Sequence, residues 1–580
     1  MSQSRQLAAI IFTDIVGYTV LMRRISMLFL LHLTAISVYA QHDHADSDNS
    51  KGINHIMACR SGVNYIDILP PPKIINGVGS SPLKIKTSSP LAQKYFSQGV
   101  SLLHCFWDFE AYRSFKEAIR LDSTAILPYW GILHTIMFIN NEEYNEEKKS
   151  AMAKLQDLSK NAEGYEALYS KGILDYVEHN DREGYLKQLE NIVHHYPEDV
   201  DAKLFLALFK MSGYDENMDP RMGTIYSEFL LRDLLVTNPE NHGVHHYWIH
   251  QMENCCPEEA LESAYKLAAL APESGHIVHM PGHIFYKLGE YKKAHDQFVK
   301  AMKVDSTYMA NQNIKEIDNW NYIHNLNYLL ANCAQSGRYT EGLYYAKRLE
   351  NMVAQADRIE THRGAFFYQG KITPAVMEMR FGFWDKAVEK FEAITDADSL
   401  YGRAAMDYKT ALQLFSSGMR SLNRKDISLA KAKLDQLDAL FWRNSQLERK
   451  KEKISQFKLK TLLVTSIELK GNILIAEKDY ENGIKTLEKA VEMEKGLGYS
   501  EPPYYPLPTW LSLASAYAKM GDYKKAESSL QKIFDKHPNS PMAYWGLMKL
   551  YQETGQQDKY ESVNVKFENI IQFGNRDAFK

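Results

Sequence analysis

One spacing constrains this chain more than any other feature: apolar residues fall at helical intervals, and the set returns 34 residues later. Residues 507–540 read LPTWLSLASAYAKMGDYKKAESSLQKIFDKHPNS. Trp510, Leu513, Ala514 and Tyr517 share one face of a first helix, and Ala526, Leu530 and Ile533 share one face of a second, because residues three and four apart are helical neighbours. Pro538 closes the second helix, since proline cannot continue the hydrogen-bond ladder. A shift of 34 lands on Tyr544, Leu547 and Tyr551. Related sets occur at Gly99, Ala111, Phe115 and Ala118, at Gly282, Ala294, Phe298 and Ala301, and at Gly471, Gly483, Leu487 and Ala490. Weaker ones lie near Gly342–Ala346 and Ala387–Phe391. The small residues let paired helices approach, and the large ones fill the space between them. A lone helix pair cannot bury its apolar face, so neighbouring pairs must stack. Turn signals LGEY (Leu288–Tyr291), SGRY (Ser336–Tyr339) and MGDY (Met520–Tyr523) fall between the paired helices, and no strand pattern follows residue 90.

This pattern resembles the tetratricopeptide repeat, W-x2-L-[GA]-x2-Y, then A-x3-[FL]-x2-[AI], then P. The resemblance implies an all-α fold: a tetratricopeptide-type helix-turn-helix repeat solenoid. Hydrophobic residues at 45% and charged residues at 24% suit a folded repeat body. A net charge of −4 without clustered Lys and Arg speaks against a nucleic-acid partner. The RKKEK run (Arg449–Lys453) reads as a solvated helix face. Five cysteines, among them the vicinal pair Cys255-Cys256, do not make a disulfide framework.

The N-terminus follows other rules. Residues 5–22, RQLAAIIFTDIVGYTVLM, resemble the opening strand of the class III adenylate/guanylate cyclases. The resemblance implies a metal-binding position at Asp14. Two-ion chemistry needs a second carboxylate on a neighbouring strand, and none follows, so Asp14 is expected to be non-functional. Arg23-Arg24, the apolar run Ile25–Tyr39 and the Val38-x-Ala40 site form a signal-peptide pattern over residues 22–40. Its apolar run is shorter than the roughly 20 residues a membrane span needs. The natural start is then Met22, with residues 1–21 a cyclase-like fragment or an extension ahead of it. The mature chain is expected to be exported, periplasmic or extracellular, with no stable membrane span, or membrane-anchored if the signal stays uncleaved. Residues 41–89, rich in Pro, Gly and Ser, read as a linker of poor order. Helical repeats are expected over 90–360, including a histidine-rich centre, over 361–500, and over 501–580 as C-terminal tetratricopeptide repeats.

That centre holds seven of the chain's 20 histidines between His242 and His283. His242, His246 and His250 lie four apart, and Glu253 continues the run. His279 and His283 form another such pair, with Pro281 between them suggesting that a helix begins there. Paired imidazoles one helical turn apart are a chelating geometry for zinc and other first-row metals. The candidate metal set is His246, His250, His279 and His283, with Glu253 as ligand or general base. It is not an HExxH motif, because Tyr247 stands at the glutamate position.

The segments YFSQGVSLLHCF (Tyr95–Phe106), HHYWIHQME (His245–Glu253), HIVHMPGHIF (His276–Phe285), His324-Asn325 and EPPYYPLPTW (Glu501–Trp510) resemble an uncharacterised family of bacterial tetratricopeptide-repeat proteins. Its pattern runs YFxQGL, HHxYIHxxE, HxxHMPxHI, HN and EPPxxYYP. The resemblance spans roughly residues 91–550 and implies a helical repeat fold without an assigned activity. His242, His276, His324, Asn325, Tyr504 and Tyr505 are candidates for an adjoining pocket, and Asp215, Asp219 and Arg221 for its rim.

Three functions stay open at this level. The first is an exported scaffold that binds a peptide, protein or small ligand. The second is a metal-binding or metal-dependent hydrolase-like protein that uses the histidine centre with a divalent metal such as zinc. The third is a cyclase-related signalling protein. The sequence leaves the oligomeric state and any enzymatic activity open.

Overall fold

The computed structural model describes residues 69–137, 144–215, 219–316, 319–352, 370–395, 403–449, 456–497, 505 and 507–579. Asp14, the signal peptide at 22–40, Cys59 and Tyr504 fall outside them. The described residues all belong to one compact unit, Gly52–Lys580. Among them the secondary structure is helical, with one isolated β-bridge between Tyr214 and Pro220. No described helix is long and apolar enough to cross a membrane.

The repeating unit is the antiparallel helix hairpin, and its glycines show why the spacing works. A methyl group on Gly99 would lie 2.5 Å from the Phe115 ring, one on Gly282 would lie 2.3 Å from Phe298, and one on Gly471 would lie 2.6 Å from Leu487. In each hairpin the large residue of the second helix seats against bare backbone of the first. Phe115, Phe298 and Leu487 are fully buried, and each such side chain contributes about 1.5–3 kcal/mol by leaving water. The turn signals do the chain reversal. Helices ending at Lys287, Gln335 and Met520 give way to helices starting at Tyr291, Tyr339 and Tyr523. Gly289, Gly337 and Gly521 between them adopt φ of 72°, 73° and 87°, a conformation open to glycine at little steric cost.

Two features differ from the sequence expectation. Residues 69–89 are extended, but they are not loose. Val78, Leu83 and Ile85 are buried. Tyr95 donates to the Pro72 carbonyl at 2.9 Å, Ser101 to Val78 at 2.7 Å, and Ser81 to Asp201 at 2.7 Å. The prolines exclude helix, yet the segment finds its partners on the first hairpin and, through Ser81, on the helix Val200–Lys210. The second difference is the helix at Pro281. It starts at Gly275, capped by the Ser274 hydroxyl, and runs to Lys287 with Pro281 inside it. The cap, not the proline, sets the start, so His276, His279 and His283 share one helix face.

The C-terminal repeats close back on the centre. Tyr291 donates to the Pro538 carbonyl at 2.7 Å, and the Asn575 amide donates to Gly337 at 2.8 Å. This contact uses the turn glycines of the histidine-bearing hairpins, so the repeats brace that region from behind.

Candidate metal centre

Three helices supply the histidines: His242–Met252, Gly275–Lys287 and Trp320–Gln335. Every residue of the first is buried, as is every residue of the second except Lys287. Helices buried all round belong to a protein core, and here that core holds imidazoles.

The histidines fall into two neighbouring threes. His246, His250 and His276 each offer a ring nitrogen within 4.8 Å of the other two, and so do His279, His283 and His324. All six side chains are buried. Between the threes, the ring centres of His276 and His279 lie 5.7 Å apart and those of His250 and His283 6.0 Å apart. The four residues proposed from spacing are thus divided between two groups. His276 and His324, expected only to line an adjoining pocket, complete them. His276 shares the face of His279 and His283 at a spacing of three and seven, a signal the sequence held. His324 arrives from the next hairpin, which spacing alone does not reveal.

Hydrogen bonds fix most of the rings. His246 Nδ1 donates to the His104 carbonyl at 2.6 Å. Glu253 accepts from His250 Nδ1 at 3.0 Å through one oxygen and from His283 Nδ1 at 2.6 Å through the other. His279 Nδ1 bonds to the Asn325 side-chain oxygen at 2.7 Å. Four rings therefore turn Nε2 inward, as metal-ligating histidines do when a carboxylate or carbonyl holds the outer nitrogen. The inner nitrogens of His246 and His250, and both nitrogens of His276, are buried with no hydrogen-bond partner among the described residues.

Aromatic rings form the walls. Phe106 lies 4.5 Å from His246, Trp320 stacks on His324 at 4.5 Å, and Tyr328 stacks on His283 at 4.2 Å. Burial holds His246, His276 and His279 well below the usual imidazole range, and neighbouring imidazoles push them further down. All three are neutral near pH 7. Burial alone would raise Glu253, but charge and hydrogen-bond interactions with His283 and His250 outweigh it and hold the carboxyl well below its ordinary value. Both Glu253 oxygens are engaged by ring N–H groups, so its position is that of an orienting residue, not of a base facing the cluster.

Other candidates lie elsewhere. His242 bonds to Ser101 at 3.2 Å and packs on Gly79. Tyr505 is buried against Glu468 and its ring centre lies 6.3 Å from that of Phe415, in a different part of the core. In the loop that carries the β-bridge the Asp215 amide donates to the Asp219 carbonyl at 2.9 Å, the Asp219 amide donates to the Asp215 carboxylate at 3.0 Å, and the Arg221 amide donates to Gly213 at 3.1 Å. Cys255 and Cys256 are half-buried free thiols.

The tetratricopeptide-repeat family pattern matches residues 464–496 and 507–535. No curated protein matches the chain. Among solved structures, yeast Tom70 aligns at 13% identity over 84% of this chain and 93% of its own, with a TM-score of 0.28. The APC/C hetero-tetramer Cut9-Hcn1 aligns at 12% identity over 84% and 95%, with a TM-score of 0.26. The human IFIT1 dimer with m7Gppp-AAAA aligns at 11% identity over 84% and 91%, with a TM-score of 0.30. At TM-scores this low, none of the three says anything about this chain's function. The chain carries tetratricopeptide repeats at 464–496 and 507–535, within an all-helical array of the kind that presents surfaces for protein interaction.

Proposed function

We propose that this chain is an exported helical-repeat scaffold whose core binds a divalent first-row transition metal ion through His246, His250 and His276. One observation carries the reading: four buried imidazole nitrogens in that group have no hydrogen-bond partner among the described residues, although the three rings converge. A buried polar group left unpaired costs about 1–3 kcal/mol, and a protein core does not ordinarily collect several at one point. A metal ion bound by one nitrogen from each ring satisfies three of the four together. Neutral imidazole suits zinc, copper, nickel and ferrous iron, and not magnesium or calcium, which favour oxygen ligands. Glu253 and the His104 carbonyl hold two of the rings in the required tautomer. The repeats at 464–535 supply the surface for a protein or peptide partner.

The test is metal content by plasma mass spectrometry after the full chain is stripped and refilled with Zn(II). At least one tightly held equivalent is expected, with occupancy lost from a His246→Gln/His276→Gln variant. His245→Gln should retain it, because both His245 nitrogens are engaged by Ser263 and Pro239 outside the cluster. A wild-type chain that holds no zinc, copper or nickel would sink the reading.

A further inference from the structure

The second group of histidines has a defect of its own. Asn325 donates its amide N–H to the Phe298 carbonyl at 2.8 Å, which turns its side-chain oxygen toward His279. That oxygen only accepts, so His279 Nδ1 carries the proton of their 2.7 Å bond. Glu253 is a carboxylate and likewise only accepts, so His283 Nδ1 carries the proton of its 2.6 Å bond. Each neutral ring is then left with a lone pair on Nε2. Those two Nε2 atoms face each other at 2.7 Å. Two acceptors at hydrogen-bond distance, buried and without a proton between them, repel. The arrangement requires a positive charge at that point.

A proton is one way to supply it. An imidazolium at His283 would be paired with the Glu253 carboxylate at 2.6 Å, though it would lie buried beside several other imidazoles. A metal ion is the other way, and the site offers it a third ligand. His324 places a ring nitrogen within 4.8 Å of both His279 and His283, and Trp320 and Tyr328 clamp the rings from outside. Zinc–nitrogen bonds of about 2.0–2.1 Å in tetrahedral geometry separate two ligand nitrogens by about 3.3 Å. Loading therefore needs the two rings to part by only about half an ångström.

From this geometry we infer that His279, His283 and His324 form a second site for a divalent first-row ion, beside the first, so that the centre holds a pair of ions. The inference rests on the reading of the first triad as a metal site, but a separate observation carries it. Glu253 couples the two sites, because its carboxylate orients one ligand of each, His250 and His283. Three histidine ligands leave a fourth tetrahedral position at each ion that none of the described residues is seen to fill, the arrangement of sites that also bind a small exogenous ligand.

The experiment is a Zn(II) titration of the stripped full chain, read by plasma mass spectrometry after gel filtration. Two equivalents are expected in the wild type, and one each in His276→Gln and His324→Gln. A wild-type plateau at one equivalent that His324→Gln leaves unchanged overturns the second site, the needed charge being then a proton, and leaves the first reading standing. No bound metal overturns both. A second readout does not depend on the variants folding. Cu(II) spin resonance should give a resolved spectrum at one equivalent and a broadened or diminished one at two, as neighbouring ions couple. Two equivalents with fully additive, unbroadened spectra would place the ions apart and overturn the pair.

Discussion

The histidine-bearing helices of residues 242–335 and the tetratricopeptide repeats of residues 464–535 share one hairpin geometry and fill it with opposite chemistry. In both, a glycine of the first helix takes a large side chain of the second, Gly282 against Phe298 and Gly471 against Leu487. The helix Thr509–Met520 buries Leu513, Ala514, Ala516 and Tyr517. The helix Gly275–Lys287 buries His276, His279 and His283 among its apolar residues, and its neighbour Trp320–Gln335 buries His324, Asn325 and Asn327. Apolar packing tolerates many substitutions of similar volume, so the repeat frame does not require these polar residues. A core that buries so many imidazoles departs from the repeat pattern at a cost in desolvation, a cost that the proposed ions would offset.

Acid should separate the two regions most strongly. His246, His276 and His279 are kept neutral in the fold, while the unfolded chain takes up protons below about pH 6.5. Their folded values are depressed, so their contribution to stability is lost as pH falls from about 6.5, by up to about 1.4 kcal/mol per group and pH unit. Asp305 packs under Gly275 and is pushed by burial to about 7. As a carboxyl with a raised folded value it works the other way and offsets one of the three. The metal-free chain should thus lose about 3 kcal/mol per pH unit locally between pH 6 and 5. Hydrogen exchange checks this, after correction for intrinsic rates: protection should fall in Gly275–Lys287 and hold in Thr509–Met520. Equal loss in both helices would break the comparison.

The tetratricopeptide side has the reverse sensitivity. Glu468 is fully buried, and burial pushes its carboxyl to about 7 against hydrogen bonds from Ser512 and Tyr505 that lower it. The neutral form is favoured, so stability falls as pH rises from about 4.5 through 7, over the window in which the histidine helix gains. Glu468→Gln removes the charge. One of its two acceptor oxygens becomes an amide donor, which gives back part of the benefit. The expected gain at pH 8 is about 2 kcal/mol, read from the urea midpoint, with a flatter pH profile. An unchanged profile would mean that another group carries the pH response of these repeats.

How far the sequence reached follows from the same contrast. The hairpins were legible because helix pairing depends on residues 16 apart on one continuous stretch, as in Gly99 and Phe115 or Gly282 and Phe298. The metal candidates His246, His250, His279 and His283 were legible as pairs one turn apart. Their division into two groups was not, because it depends on how three helices cross. The roles of His104 and Asn325 were hidden too: a backbone carbonyl and an amide orientation have no signature in spacing. Pro281 misled, because the Ser274 cap outweighs it at the helix start. The Pro-rich stretch before Ser89 misled for a related reason, since local composition excludes helix without excluding an extended segment packed on a hairpin.

The smallest expected effect tests whether the frame is truly common to both regions. Gly282→Ala and Gly471→Ala each add one methyl group against a buried side chain, at 2.3 Å from Phe298 and 2.6 Å from Leu487. Overpacking of this kind costs about 1–3 kcal/mol. Alanine in place of a mid-helix glycine returns about 1 kcal/mol through helix propensity. Each variant should therefore lose only about 1 kcal/mol, and the two losses should agree. Their effects on metal should not. The Phe298 carbonyl anchors Asn325, and Asn325 sets the tautomer of His279, so pushing on Phe298 disturbs the second triad. Outer partners of this kind are worth about 10–100-fold in metal affinity. Gly282→Ala should weaken the second Zn(II) equivalent at nearly unchanged stability, and Gly471→Ala should leave both equivalents alone. If Gly282→Ala instead unfolds the chain, the histidine hairpin depends on its packing more tightly than the tetratricopeptide one. The two regions would then share a sequence spacing but not an energetic frame.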